Sequence, residues 1–187
     1  CGYGEILKHA LITDKKFFIF LNKHGTDILN LKNSLIEKAI YKSCTIKKKV
    51  VEADEKEMNI RKILNFGHTF AHAYEATLGY SQKLNHGEAV ILGIKTAAKF
   101  SLVNKILNPV DFMLIENHLK QLNLPRDINK YFSKTNLTQI LSFMKKDKKN
   151  NTKKINLILL NKIGSPTYKL NYNEKKIYLF LKKELIK

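Results

Sequence analysis

Residues 64–72 read LNFGHTFAH, which places His68 and His72 four residues apart. Residues at this spacing lie on one face of a helix, so both imidazoles would point the same way if the run is helical. A third histidine, His86, follows within residues 84–90 (LNHGEAV), beyond a short turn. Two histidines on one element and a third on the next can converge on one divalent metal. The alternative is an ordinary surface or packing pair, for which the same spacing is common.

The composition is that of a folded globular chain of ordinary domain size. It has 187 residues, of which 44% are hydrophobic, enough to bury a core without disulfides. No apolar run reaches the roughly 18 residues that a membrane-spanning helix requires, so we expect no membrane partner. The two cysteines, Cys1 and Cys44, form neither a metal-type cluster nor a disulfide framework. Their use favours a reducing, cytoplasmic location.

The formal net charge is +18, and a charge of this size is typical of proteins that bind nucleic acid. Nearly all of it is lysine, however, since the only arginines are Arg61 and Arg126 and base recognition favours arginine. The lysines are scattered, and their densest run, residues 145–149 (KKDKK), suits an anionic small molecule equally well. A basic nucleic-acid-binding module is therefore the less favoured alternative, and we expect no nucleic-acid partner.

Apolar periodicity predicts a mainly α-helical fold with a small β-hairpin near the C-terminus. Asp14 is a candidate cap for the second helix, which we expect to end at His24-Gly25. Helices are predicted over residues 3–12, 14–24, 33–51, 65–78, 88–103, 110–122 and 137–145, and from 173 to the end. The hairpin is predicted from strands 155–160 and 167–170 around a turn at 164–166. We expect one domain over residues 1–187.

A catalytic metal site built on histidines often includes a carboxylate ligand. Glu5 is the first choice because a glutamate is unusual in a mostly apolar helix, although spacing alone does not separate it from Glu57 or Glu88. Lys8 follows three residues after Glu5. The alternative interpretation of these two residues is a surface ion pair of small energy.

Arg61 and Asn65 lie four residues apart and lead directly into His68. A helix that continued from Arg61 would direct all three side chains toward one ligand. Arginine is a natural partner for a carboxylate or phosphate. The alternative is an ordinary ion pair between Arg61 and Glu57, which lies four residues earlier.

Taken together, these segments resemble one family, 3-dehydroquinate synthase, over essentially the whole chain. The matching segments are residues 2–8 (GYGEILK), 47–51 leading into 54–57 and Arg61, 64–72, 86–90 (HGEAV), and 147–149 before the hairpin. Their order and approximate spacing both fit the family. Each segment alone is weakly specific, whereas the combination is highly specific.

The resemblance implies a role for each matching residue. Glu5, His68 and His86 correspond to the ligands of a catalytic zinc or cobalt ion. Glu57 corresponds to the position usually described as the proton acceptor, and His72 is assigned to the substrate or to proton handling rather than to the metal. The residues implied to contact the substrate are Lys8, Lys47, Arg61, Asn65, His72, and Lys148 or Lys149.

The reaction implied by the resemblance explains these residue types. The family converts a phosphorylated acidic sugar, 3-deoxy-D-arabino-heptulosonate 7-phosphate, into 3-dehydroquinate and phosphate in the shikimate pathway, which leads to chorismate and the aromatic amino acids. Bound NAD transiently oxidises one hydroxyl, phosphate is eliminated, the hydride returns, and ring opening and aldol closure follow. A divalent metal polarises the oxidised oxygen, while lysines and an arginine bind the two anionic groups. A homodimer is expected for the full-length protein.

The nucleotide-binding part of such an enzyme is missing from this sequence. There is no Gly-x-Gly-x-x-Gly run and no parallel βαβ pattern, and the chain begins at Cys1 without an initiator methionine or a signal-peptide pattern. We therefore expect residues 1–187 to be the C-terminal metal- and substrate-binding domain, with the NAD-binding domain upstream and the isolated fragment inactive. A related sugar-phosphate cyclase and a metal-dependent polyol dehydrogenase are the nearest enzymatic alternatives.

Two positions depart from the family pattern. Gly4 stands where alanine is common before the metal-binding glutamate, and Ala71 stands where glycine is usual between the two histidines. Both replacements exchange one small residue for another. We expect them to change packing more than chemistry.

Overall fold

Eight α-helices and one β-hairpin form the part of the chain that this computed structural model describes, residues 2–146 and 154–186. The helices are α1 (Gly2–Thr13), α2 (Lys15–Leu29), α3 (Asn33–Ala53), α4 (His68–Thr77), α5 (His86–Val103), α6 (Pro109–Gln121), α7 (Leu137–Lys146) and α8 (Glu174–Glu184). The hairpin consists of β1 (Lys154–Lys162) and β2 (Ser165–Asn173), and short 3-10 helices cover Ile60–Asn65, Ile128–Lys130 and Lys134–Asn136. This architecture confirms the predicted fold class.

Helix α5 is the centre of the fold because nearly its whole circumference is buried. Thirteen of its 18 residues are buried, and α1, α4, α6 and β1 pack around it. A helix that is apolar on all sides belongs in a core. Within the described chain, no helix combines the length and the apolar character that crossing a membrane requires.

Two glycine contacts bring α1 and α4 against α5. A Cβ atom at Gly4 would lie 2.7 Å from the carbonyl oxygen of Gly87, so the first turns of α1 and α5 meet through their backbones. Gly67, directly before α4, has a φ of 80°, and its carbonyl oxygen leaves no room for a side chain at Gly93 in α5. Glycine meets both requirements, since it tolerates positive φ and allows close backbone approach.

The second helix does not end at His24-Gly25, as the sequence predicts, but continues to Leu29. Gly25 is a packing position inside the helix rather than a terminator. A Cβ atom there would lie 2.6 Å from Cδ1 of Leu122. The glycine therefore lets the chain after α6 approach α2, a long-range contact that no local pattern reveals.

The central helix begins at His68 rather than near Asn65, so this predicted boundary is also wrong. Gly67 adopts a left-handed backbone and separates α4 from the 3-10 helix at Ile60–Asn65. No continuous helix runs from Arg61 to His68.

The hairpin is longer than predicted, and its turn is tighter. Each strand has nine residues, and the turn consists of Ile163 and Gly164. Ser165 and Pro166, which the sequence predicts in the turn, already belong to β2. Gly164 has a φ of 87°, and its N–H donates to the carbonyl oxygen of Leu11 at 2.7 Å. This bond ties the turn to α1.

His118 is a structural histidine that joins three helices. It is fully buried in α6, where Nε2 lies 2.8 Å from the Tyr3 hydroxyl of α1 and Nδ1 lies 3.1 Å from Asn22 Oδ1 of α2. Burial lowers the pKa of His118 to about 4, so the ring is neutral at neutral pH. The network fixes the start of α1, which carries Glu5.

Replacing Gly93 by alanine tests the close approach of α4 and α5. The added Cβ would collide with the backbone at Gly67. We expect a loss of about 1–3 kcal/mol in the free energy of unfolding, the range typical of overpacked cores, measured by urea denaturation. Gly2→Ala is the matched control, because its added Cβ meets no atom within 4 Å. Equal stability of the Gly93→Ala variant and the wild type would contradict the described contact.

Candidate metal and substrate site

Three candidate metal ligands lie together at the starts of three helices. Glu5 is in the first turn of α1, and His68 and His86 are the first residues of α4 and α5. One potential ligand atom from each lies within 4.8 Å of those of the other two, and Glu5 Oε1 is 3.4 Å from His68 Nε2. We call these three residues the ligand cluster. Glu57 and Glu88, the alternative carboxylate ligands that spacing alone allows, are outside it.

Helix α5 begins at His86, two residues before the predicted start. The Glu88 carboxylate accepts a hydrogen bond from the backbone N–H of Asn85 at 2.9 Å, as in a capping box. This bond defines the first turn of the helix and therefore the direction in which His86 leaves the backbone. Glu88 serves as a capping residue in this arrangement.

Glu5 is held ionised by its surroundings. Its Oε2 accepts a hydrogen bond from Lys8 Nζ at 2.8 Å. Burial alone would raise the pKa of Glu5, but His68 and Lys8 outweigh this effect and hold the pKa well below its usual range. Lys8 is only 3% exposed, so the pair is not a surface ion pair, which was the alternative interpretation of the two residues. An ionised carboxylate is the form that binds a metal.

A further hydrogen bond orients each imidazole of the ligand cluster. His68 Nδ1 lies 3.3 Å from the carbonyl oxygen of Phe66, and His86 Nδ1 lies 3.0 Å from Oε1 of Glu75. When Nδ1 donates to such an oxygen, Nε2 keeps its lone pair for a metal. Two imidazoles and one carboxylate form a donor set that suits Zn²⁺ or Co²⁺.

Glu75 is a candidate for orienting His86, and it is not among the site residues predicted from the sequence. It lies in α4, and its side chain is 10% exposed. His68, His72 and Glu75 follow the spacing i, i+4, i+7, which places a carboxylate on the same helix face as the two histidines. That spacing is a usable signal in the sequence. The spacing does not reveal the partner of Glu75, because that partner, His86, lies on another helix.

A cavity of about 220 Å³ opens beside the ligand cluster. It is lined by Glu5, Lys8, His9, Lys47, Glu57, Arg61, Leu64, Asn65 and His68. Within the described chain, this lining contains every predicted site residue except His72 and His86. Lys148 and Lys149 lie outside the described residues.

Asp54 organises the loop that carries Glu57 and Arg61. Its carboxylate accepts hydrogen bonds from three backbone N–H groups, those of Met58, Asn59 and Arg61, at 3.0, 2.7 and 3.0 Å. Glu57 has a φ of 55°, in the left-handed region that non-glycine residues rarely adopt. Strain of this kind persists where the surroundings fix the backbone, and it is common at functional sites.

Arg61 and Glu57 do not form the ion pair that their spacing allows; each side chain has a different hydrogen-bond partner. Asn65 Nδ2 donates to Glu57 Oε1 at 2.6 Å, and the Arg61 guanidinium donates to the Glu55 carbonyl oxygen at 2.5 Å. Because a backbone carbonyl carries no net charge, this contact positions Arg61 without neutralising it. The arginine lines the cavity with its positive charge available for an anion.

His72 lies one turn after His68, and the centroids of the two rings are 5.3 Å apart in an edge-to-face arrangement. It is outside the ligand cluster and outside the cavity lining. The four-residue spacing therefore does not make the two histidines an equivalent pair. The role of His72 in substrate or proton handling stays a prediction.

Comparison with known proteins associates this arrangement with one family. Residues 2–150 match the family model described as 3-dehydroquinate synthase C-terminal. A 3-dehydroquinate synthase of Pelagibacter ubique is 73% identical over 187 residues, which is 100% of this chain and 51% of that protein. The chain belongs to the 3-dehydroquinate synthase family. A second member, from Alkaliphilus metalliredigens, is 40% identical over 158 residues, 84% of this chain and 43% of that protein. The chain thus spans about half the length of the curated relatives it matches.

Two solved structures share the fold of this family member. A 2-epi-5-epi-valiolone synthase from Streptomyces hygroscopicus, with NAD⁺ and Zn²⁺ bound, has a TM-score of 0.83 at 19% identity and covers 98% of this chain and 50% of its own. A 2-deoxy-scyllo-inosose synthase, complexed with carbaglucose-6-phosphate, NAD⁺ and Co²⁺, has a TM-score of 0.73 at 23% identity and covers 97% of this chain and 50% of its own. At these identities the likeness concerns the fold.

Replacing Glu75 tests whether it orients His86. We expect Glu75→Ala to weaken zinc binding by about 10- to 100-fold, the usual effect of losing a carboxylate behind a histidine ligand. Glu75→Gln keeps an oxygen acceptor and should have a smaller effect. Competition with a coloured chelator measures the affinity, and Glu52→Ala, which removes an exposed carboxylate of α3, is the control. Unchanged zinc affinity in Glu75→Ala would show that Glu75 does not orient His86 for metal binding.

Proposed function

We propose that this chain is the C-terminal, metal- and substrate-binding half of a 3-dehydroquinate synthase. The whole enzyme would convert 3-deoxy-D-arabino-heptulosonate 7-phosphate into 3-dehydroquinate and phosphate, a carbon–oxygen cleavage of the lyase class. The observation that carries the proposal is the ligand cluster beside a cavity that three cationic side chains line. Family membership and 73% identity to a named synthase support it.

The residues of the ligand cluster fit a divalent metal. The buried Oε1 of Glu5 has no hydrogen-bond partner in the described chain. The hydrogen bonds that orient His68 and His86 involve Nδ1, which leaves Nε2 of each ring for the metal. Glu5, His68 and His86 would hold Zn²⁺ or Co²⁺, a choice supported by the two structures of the same fold that carry these ions. Such an ion, when bound, polarises a substrate oxygen as a Lewis acid.

Lys8, Lys47 and Arg61 suit a substrate with a carboxylate at one end and a phosphate at the other. All three line one cavity, so an anionic ligand there would meet positive charge from α1, from α3 and from the 3-10 helix. Arginine binds such groups in a planar, bidentate manner, whereas lysines act as point charges. This concentration of charge favours a phosphorylated acidic sugar over the neutral substrate of a polyol dehydrogenase.

Glu57 is the proposed proton acceptor. Its carboxylate lines the cavity, and the hydrogen bond from Asn65 Nδ2 fixes its orientation. Because Glu57 is exposed, it can pass a proton on to solvent. His72 is proposed to contact the substrate or move a proton, and Lys148 or Lys149 is proposed to contact the substrate.

NAD would be bound mainly by a domain upstream of Cys1. The chain covers 51% of its relative from Pelagibacter ubique, which leaves about half of that protein for such a domain. We propose that the isolated 187-residue chain is inactive, because the site for the hydride carrier would lie in that upstream domain. The full-length protein is proposed to act as a homodimer in the cytoplasm.

Alanine substitutions at the histidines test the metal assignment. In the full-length protein, we expect His68→Ala and His86→Ala to lose both zinc and turnover, because each removes one ligand. His72→Ala should keep zinc and lower turnover. Elemental analysis and phosphate release from the proposed substrate measure the two properties. Stoichiometric zinc in His68→Ala or His86→Ala, or loss of zinc in His72→Ala, would contradict the proposed ligand set.

Arg61→Ala tests the anion-binding role of the cavity. We expect KM for the phosphorylated substrate to rise by about 10- to 100-fold, the scale of one lost charged hydrogen bond, while the affinity for NAD changes little. Arg126→Ala is the matched control, since the other arginine pairs with Asp127 away from the cavity. An equal loss of substrate and NAD affinity in Arg61→Ala would argue against a specific role.

A further inference from the structure

His9 lines the proposed substrate cavity, yet neither the sequence motifs nor the ligand cluster includes it. It lies on α1, one turn after Glu5, and is only 3% exposed. Its Nδ1 is 2.7 Å from the Ser43 hydroxyl of α3. Its Nε2 is buried and has no hydrogen-bond partner within the described chain. Buried polar atoms without a partner are rare and costly, so this nitrogen requires an explanation.

Unpartnered buried atoms are concentrated at this cavity. Among the described residues, three side-chain atoms are buried without a hydrogen-bond partner: Glu5 Oε1, His9 Nε2 and Ser81 Oγ. The first two belong to residues that line the same cavity from the same helix. Glu5 Oε1 has an explanation as a metal-binding oxygen. A bound ligand would likewise account for His9 Nε2.

The contact with Ser43 favours one tautomer of His9. In the described part of the chain, the Ser43 hydroxyl forms its hydrogen bond with His9. If Ser43 donates its proton to Nδ1, the hydroxyl hydrogen is satisfied and the ring proton resides on Nε2. The opposite tautomer would leave the hydroxyl hydrogen and the Nε2 lone pair unpaired together. The favoured tautomer therefore presents Nε2–H as a donor.

We propose that Nε2–H of His9 donates a hydrogen bond to an anionic oxygen of the bound substrate, a contact that rests on the function proposed above. The side chains that influence His9 electrostatically are Lys8, Lys47, Glu5 and His68, which all line the same cavity. Nε2 is shielded from solvent, so the proposed contact requires the cavity wall to move when the substrate binds. His9 is then a substrate-contacting residue, and Ser43 is the positioning residue behind it.

A neutral donor complements the cations of this cavity. Burial, together with the nearby charge of Lys8, lowers the pKa of His9 to about 4, so the ring carries no charge at neutral pH. A neutral imidazole adds a directional hydrogen bond without adding to the repulsion between Lys8 and Lys47. It therefore contributes geometry, whereas the lysines contribute charge.

Glutamine and asparagine at position 9 distinguish the two ring nitrogens. The amide of glutamine reaches the position of Nε2, whereas the amide of asparagine reaches the position of Nδ1. We expect His9→Gln to keep KM within about threefold of the wild type and His9→Asn to raise it by about 10- to 100-fold, the scale of one hydrogen bond to a charged group. The measurement is steady-state turnover of 3-deoxy-D-arabino-heptulosonate 7-phosphate by the full-length protein. Thermal unfolding of both variants and His24→Asn, a substitution outside the cavity, are the controls.

The opposite order of the two variants, with asparagine tolerated and glutamine not, would show that the Ser43 contact alone matters and would overturn the proposal. Equal KM values in the wild type and both variants would also overturn it. In either case, normal turnover by the wild type leaves the proposed function intact. Absence of turnover by the wild-type protein would instead overturn the proposed function and, with it, the role of His9.

Discussion

The close backbone approach of α1 and α4 to α5 is the constraint on which the candidate site depends. Gly4 meets Gly87, and Gly67 meets Gly93, at distances that leave no room for side chains. Each ligand of the cluster lies within a few residues of one of these contacts. A shift of either helix by the width of one methyl group would therefore separate Glu5 and His68 from His86. These glycine packing contacts thus set the geometry of the site.

The same arrangement directs three helix N-termini toward one place. Each N-terminus contributes positive partial charge, roughly half an elementary charge, which favours ionised Glu5 and would favour the proposed anionic substrate. A divalent cation in the same place needs compensating negative charge. Glu5 supplies it directly, and Glu75 supplies it through His86. Lys8, Lys47 and Arg61 line the same cavity as Glu5 and His68, and Lys8 pairs directly with Glu5, so positive and negative charges lie side by side in the proposed site.

Local patterns in the sequence predict most of the elements and the histidine cluster, because helices, hairpins and family motifs leave signals within short segments. Gly67 shows the limit of such signals: it separates Arg61 and Asn65 from His68, although their spacing suits one continuous helix. Gly25 reads as a helix end but serves a contact with Leu122. Glu75 and His9 do not stand out in the sequence because their partners, His86 and Ser43, lie on other helices. The roles of Gly25, Glu75 and His9 share one cause, which is that contacts between residues distant in sequence decide them.

The central claim is that Glu5, His68 and His86 together hold one divalent metal while His72 does not. Anomalous diffraction at the zinc absorption edge, from crystals of the full-length protein, tests it most directly. We expect a single peak about 2.0–2.2 Å from a Glu5 carboxylate oxygen and from Nε2 of His68 and His86. A peak coordinated by His68 and His72 without Glu5, or no peak at the cluster in zinc-saturated and active protein, would contradict it.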